Sequence, residues 1–308
     1  MLRFTLQRLL TGIPTLLVLI ALAFFLIRAA PGGPFDTERQ LAPEIEAAIR
    51  KAYHLDEPLP QQFARYLGGL VRGDFGPSFQ YREYTVTELI VAGLPVSMTV
   101  GGLAMLVAVL VGVAAGTTAA LRQNRMADHA VMAAAMTGIS VPSFVMAPLL
   151  ILLLAVGLRW LPAGGYGDGH WRYLLLPVLT LALPQIAYIA RLTRASMIEV
   201  LRSPYIRTAR AQGLALRTIV LRHALKPTLL PVMSYLGPAT AALLTGSVVI
   251  EQIFGLPGIG RFFVNGALNR DYTLVMGVVV FYGVLIVVFN FLVDVVYGLL
   301  DPRIRHRT

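Results

Sequence analysis

Six stretches of this chain carry no Asp, Glu, Lys or Arg over lengths suited to a lipid bilayer: residues 9–27, 89–121, 130–158, 173–190, 227–250 and 273–293. A helix needs about 20 apolar residues to cross the hydrocarbon core. The second stretch is longer than one crossing needs, and a span from Val96 onward fits within it. The fourth is short and holds Pro177 and Pro184. The reading is an all-α integral membrane protein of six spans. Its composition agrees: 56% of residues are hydrophobic and 14% charged, against roughly 45–50% and about 25% in a soluble domain. The first stretch is read as a retained span and not a signal peptide, because its apolar core exceeds the usual length of about 7–15 residues.

The net charge of +10 raises the question of nucleic acid. Its placement answers differently. Eight of the 26 basic residues fall in 191–226, between two apolar stretches. Basic residues beside spans are a topology signal. With the N-terminus inside, the inner segments 1–8, 122–129, 191–226 and 298–308 hold 2, 2, 8 and 3 Lys or Arg. The short outer segments 159–172 and 251–272 hold two each, and the long outer segment 30–92 balances six bases against nine acids. Both termini are therefore expected in the cytoplasm. The chain has no cysteine, and its five histidines are too scattered for a metal cluster by local spacing. It contains no GxxxxGK[ST], GxSxG or HExxH, so phosphate-loop, serine-hydrolase and zinc-protease chemistry have no support. Asp74-Phe75-Gly76 spells a kinase tripeptide, but the other kinase motifs are missing.

The chain divides into 1–29 (tail and first span), 30–92 (outer segment) and 93–308 (five-span core). Within 30–92, Pro43, Glu44 and Glu46 open a predicted helix that Arg50 and Lys51 close, in accord with the helix dipole. A second short helix is expected over 61–70. This segment is either a structured cap or a docking surface for an external partner.

Segment 191–226 is the most informative. Ser203 reads as an N-cap and Pro204 as the first helical residue. The helix runs to Gln212, and Gly213 stops it in the left-handed conformation. A second helix is expected from Leu216 to Leu225, ended by Pro227. Ile206, Ala209 and Gly213 share one face, small enough for close approach to another protein. Arg217, Arg222 and Lys226 suit anionic headgroups.

The run Tyr205-Ile206-Arg207-Thr208-Ala209-Arg210-Ala211-Gln212-Gly213, followed by Arg222-His223-Ala224-Leu225-Lys226-Pro227, resembles the cytoplasmic coupling loop of ABC-importer permeases. Arg207 and Thr208 replace the Glu and Ala of the general pattern, which is similar to the peptide-transporting branch. Val249-Ile250-Glu251, Gly255-Leu256-Pro257-Gly258-Ile259-Gly260 and Asn265-Gly266-Ala267-Leu268-Asn269-Arg270-Asp271 resemble that branch too. So do Ala30-Pro31-Gly32, Tyr53-His54-Leu55, Gly73-Asp74-Phe75-Gly76 and Ile139-Ser140-Val141-Pro142-Ser143-Phe144.

The resemblance implies the MetI-like permease fold of type I importers in a bacterial inner membrane. It implies a second homologous permease subunit, two cytoplasmic ATPases that carry the ATP and Mg, an extracytoplasmic binding protein and a peptide cargo. This chain itself would bind no cofactor and catalyse nothing. Residues 205–210, Gln212 and Gly213 would meet the ATPase, with Arg207 and Arg210 adding ionic contacts. Glu251, Gly255, Pro257, Gly258, Gly260, Asn265, Asn269 and Asp271 would form an external signature turn near the pathway. Glu251 either faces a peptide amine or caps the turn. A rival from another class is a stand-alone carrier or channel, which would be active without partners and usually needs intramembrane charges for ion coupling; few are present. Gly112 and Gly116 form a small-xxx-small pair that is equally well an interface or chance. Pro142, Pro148, Pro177, Pro184, Pro231 and Pro238 mark bends around a pathway or simple kinks. Asp294 is read as an interfacial structural acid.

Overall fold

The computed structural model describes residues 2–29, 56–81 and 83–300. The predicted helix near Pro43, the motifs at 30–32 and 53–55, the side chain of Asp294 and the tail beyond Leu300 lie outside the described residues.

Apolar sequence and obligatory backbone pairing leave helices as the form in which segments like these cross lipid. Helix α1 (Leu2–Ala29) is followed by α2 (Leu59–Val71), one to two residues longer at each end than expected. Helix α3 (Val86–Leu121) begins ten residues before Val96, within the stretch assigned to the outer segment. Its start is fixed by a capping box: Thr85 accepts from the Glu88 N–H, and the Glu88 carboxylate accepts from the Thr85 N–H. The Thr-x-x-Glu spacing announces such a start, so this boundary was legible.

The third span is not the continuous helix expected over 130–158. Helix α4 (Met126–Ser140) and α5 (Ser143–Leu150), the latter prolonged by a wider helical turn over Ile151–Gly157, meet at a 105° bend. Pro142 causes it, because proline disfavours a helical residue before it and supplies no N–H. Helix α6 (Trp171–Leu201) corrects the fourth span in the other direction. It runs through Pro177 and Pro184 and past Arg191 and Arg194, so the first part of segment 191–226 is helix and not loop.

Helix α7 (Pro204–Ala211) and the single turn α8 (Leu216–Thr218) lead through a wide turn over Ile219–Ala224 into α9 (Leu225–Phe254). Pro227 does not end a helix there. It lies inside one continuous helical run, Leu216–Leu244, just past the wide turn over Ile219–Ala224. An 87° bend separates the end of α9 from α10 (Ile259–Leu268), and α11 (Tyr272–Leu300) closes the chain. Among the described residues, five helices are long and apolar enough to cross a bilayer unaided. Taking Met126–Gly157 as one broken span gives the expected six.

The core lies where α3, α6 and α9 pack, around Val100, Ala104, Ala108, Ile189, Val232 and Ile250. Helix pairs in lipid gain little from hydrophobicity and depend on close backbone approach. Gly112 and Gly116 supply it. A Cβ on Gly112 would stand 2.8 Å from Ile189, and one on Gly116 would stand 2.4 Å from the Ala190 carbonyl. The pair is a specific α3–α6 seam. Helix α1 packs on α11, and its Phe24 meets Phe63 of α2 with ring centroids 5.2 Å apart.

Candidate functional site

Two structured regions lie at opposite ends of the bundle. At the basic end, α7 is terminated as a Schellman motif: the Gly213 N–H donates to Arg210 O at 3.0 Å and the Leu214 N–H to Ala209 O at 3.2 Å. Gly213 has φ +78°, in the region where glycine alone pays no Cβ penalty. Ser203 and Pro204 occupy the expected starting positions, but the Ser203 hydroxyl donates backward to Val200 O at 2.6 Å and does not cap the helix.

The shared face of α7 turns inward. Ile206 is fully buried and Ala209 is buried, both within a cluster holding Ala120, Met197, Ile219, Val220 and Ala224. They fasten α7 to the ends of α3, α6 and α9 and are not presented to a partner. Tyr205, Arg207, Thr208, Arg210 and Gln212 stand on the exposed side. Gly213 is exposed, with nothing within 4 Å of where a Cβ would sit.

One feature here escaped sequence reasoning. Asp128, at the third position of α4, is almost wholly buried, and Arg194 of α6 grips it through Nε and Nη2, both at 2.6 Å. The same carboxylate accepts from the Asn124 N–H at 2.9 Å. The clamp ties the 122–128 turn to α6 just ahead of α7. An acid in the first turn of a helix was a usable sign, but its partner lies 66 residues away.

At the other end, α9 stops at Gly255, which is left-handed with φ +65°. Leu256 and Pro257 carry the chain to Gly258, and α10 starts. The first N–H groups of a helix have no partner inside it. Ser97 Oγ of α3 accepts from the Ile259 N–H at 3.0 Å, and the buried Glu251 carboxylate accepts from the Gly260 N–H at 2.7 Å. Glu251 thus caps the turn and does not face an open path. Gly258 and Gly260 are small of necessity, since a Cβ on either would strike that carboxylate. Asp271 is the buried N-cap of α11, taking the Leu274 N–H at 3.0 Å on Oδ1 and the Ser78 hydroxyl and Gln80 N–H on Oδ2. Asn265 Nδ2 reaches the Tyr81 hydroxyl at 3.5 Å, and the exposed Asn269 donates to Asn265 O. The signature residues therefore hold the elbow to the 75–97 segment.

Glu251→Ala would leave the buried Gly260 N–H without an acceptor, at a cost of about 1–3 kcal/mol. The melting temperature of the detergent-purified protein should fall accordingly, and Glu251→Gln, which keeps an oxygen, should fall less.

The profile of the binding-protein-dependent transport system inner membrane component matches residues 108–306, and that family's N-terminal profile matches residues 1–101. The chain belongs to this permease family. Full-length relatives extend the match. The oligopeptide transport system permease protein OppB of Salmonella typhimurium is 55% identical over 306 residues, covering 99% of this chain and all of the relative. The dipeptide transport system permease protein DppB of Bacillus subtilis is 43% identical over 305 residues, covering 99% and 98%. Among solved structures, an inward-facing MetNI methionine ABC transporter chain superposes with a TM-score of 0.55 at 20% identity, over 69% of this chain and 96% of its own. That likeness establishes the MetI-like permease fold. Permeases of this family are inner-membrane transport components, and the multi-span bundle described here is one.

Proposed function

We propose that this chain is one membrane half of an ATP-driven importer of peptides. The near-complete match to oligopeptide and dipeptide transport permeases carries the reading. A second homologous permease completes the passage, two cytoplasmic ATPases supply the energy with their own ATP and Mg, and an extracytoplasmic binding protein delivers oligopeptides or dipeptides. The basic end, with both termini, faces the cytoplasm.

The arrangement at α7 supports a mechanical role. Its outer side offers Tyr205, Thr208, Gln212 and the cations of Arg207 and Arg210 to an ATPase. Its inner side is locked by Ile206 and Ala209 to the ends of three spans. A push on the exposed side is therefore delivered to α3, α6 and α9 together. Proteoliposomes containing the whole complex should import peptide only with ATP and all partners present. Import by this chain alone would favour the rival stand-alone carrier or channel.

Gly213→Val tests the joint. A β-branched residue at φ +78° is strained, which should remake the α7 exit. Peptide uptake should drop about tenfold or more while membrane insertion stays normal; the reasoning is that a small displacement at a coupling site is costly. Normal uptake by this variant would reject the coupling role.

A further inference from the structure

The spans α6 and α9 are the least apolar of the five unbroken ones. The mean hydropathy is 1.7 for α6 and 1.2 for the stretch Leu216–Leu244 that runs from α8 into α9, against 2.3 to 2.6 for the other three. What lowers them includes a connected polar ladder on their open sides. The Tyr235 hydroxyl of α9 donates to Gln185 Oε1 of α6 at 2.7 Å. The Tyr235 and Tyr188 rings lie 5.7 Å apart, and the Arg191 guanidinium sits 5.2 Å above the Tyr188 ring. Arg191 is exposed and has no carboxylate partner among the described residues, whereas Arg194, three residues on, is gripped by Asp128.

The facing side of α9 is equally unsuited to lipid. Pro231, Ser234, Tyr235 and Pro238 recur at helical spacing, and all but Tyr235 are exposed. Pro231 and Pro238 have no N–H to give to the carbonyls of Pro227 and Ser234, four residues earlier. An unpaired guanidinium and bare carbonyls facing acyl chains are costly, and ionisable groups within spans are expected to line a pathway. The Gln185-to-Arg191 stretch covers about 9 Å of helix axis.

We propose that this ladder is a binding site for the peptide on its way through the membrane, with Arg191 taking the terminal carboxylate. The amide of Gln185 and the tyrosine hydroxyls meet peptide N–H and C=O groups, and the freed carbonyls of α9 accept from peptide N–H. The inference rests on the peptide-import reading above.

The test uses the complete transporter in membrane vesicles, with a charged methanethiosulfonate reagent on both faces. The chain lacks cysteine, so a single one reports. Ser234→Cys should react, whereas Leu17→Cys on the half-exposed lipid side of α1 should not. A transported peptide with ATP should slow the Ser234→Cys reaction about threefold or more, as expected for a site occupied most of the time. Arg191→Gln should cut uptake about tenfold, the loss expected for one charge-assisted hydrogen bond, with Arg191→Lys retaining much of it.

Ser234→Cys as inert as Leu17→Cys, or labelled at the same rate with and without peptide, would overturn the site. An Arg191→Gln defect that vanishes when anionic lipid is replaced by zwitterionic lipid would assign the guanidinium to a headgroup and overturn it as well. Absence of peptide import by the unmodified complex would instead sink the function proposed above.

Discussion

Gly116→Leu should leave almost no folded protein in the membrane. A Cβ there would stand 2.4 Å from the Ala190 carbonyl, 2.7 Å from Thr193 Cβ and 3.0 Å from the Arg194 N, and two of these are backbone atoms that no rotamer change relieves. Overpacking a well-filled site costs typically about 1–3 kcal/mol per added group and more when backbone must shift. In lipid, nothing but packing and polar contacts holds α3 against α6. Folded yield, read as the monodisperse fraction in detergent, should drop about tenfold or more. The control is Gly102→Leu on the same helix, where a Cβ meets nothing within 4 Å; it should be recovered like the unmodified protein. Equal recovery of both variants would mean that the α3–α6 seam is not a close contact.

The second large effect is expected at the clamp. Arg194→Met removes the partner of a carboxylate that is 1% exposed. Breaking one side of a buried ion pair costs about 3–5 kcal/mol, and the low end applies because Arg194 itself is 26% exposed. The double change Asp128→Leu with Arg194→Met should regain most of that loss, since no charge then remains buried. Melting temperatures of the four proteins give the cycle. A double variant no better than Arg194→Met would show that the carboxylate was not the source of the penalty. Uptake should follow stability, because the clamp holds the 122–128 turn against α6 just ahead of α7.

Much of this molecule was readable in its sequence because lipid imposes so few solutions. The six charge-free runs, the Ser203-Pro204 start, the Gly213 stop and the short helix near Gln61 are local signals, and each appears near its expected place. What failed was reading charge and proline as boundaries. Arg191 and Arg194 do not end α6, because one is exposed over the Tyr188 ring and the other is paired with Asp128. Pro227 does not stop a helix, because the wide turn before it carries the helical run through. Pro142 does break one. Only the neighbours decide which outcome a given residue has. The inward turn of Ile206 and Ala209 was hidden for the same reason, since their small, apolar face suits burial in this chain as well as contact with another.

The elbow has a further consequence for motion. Its two leading N–H groups are held by α3 and by the tail of α9, and Gly93 of α3 leaves only enough room for the backbone of Gly258 and Ile259. Asp271 then stitches the start of α11 to the strand of chain before α3. These parts can only travel as one wedge. Any movement of this end must therefore carry α10 together with α3, the tail of α9 and the start of α11, and cannot swing α10 like a door.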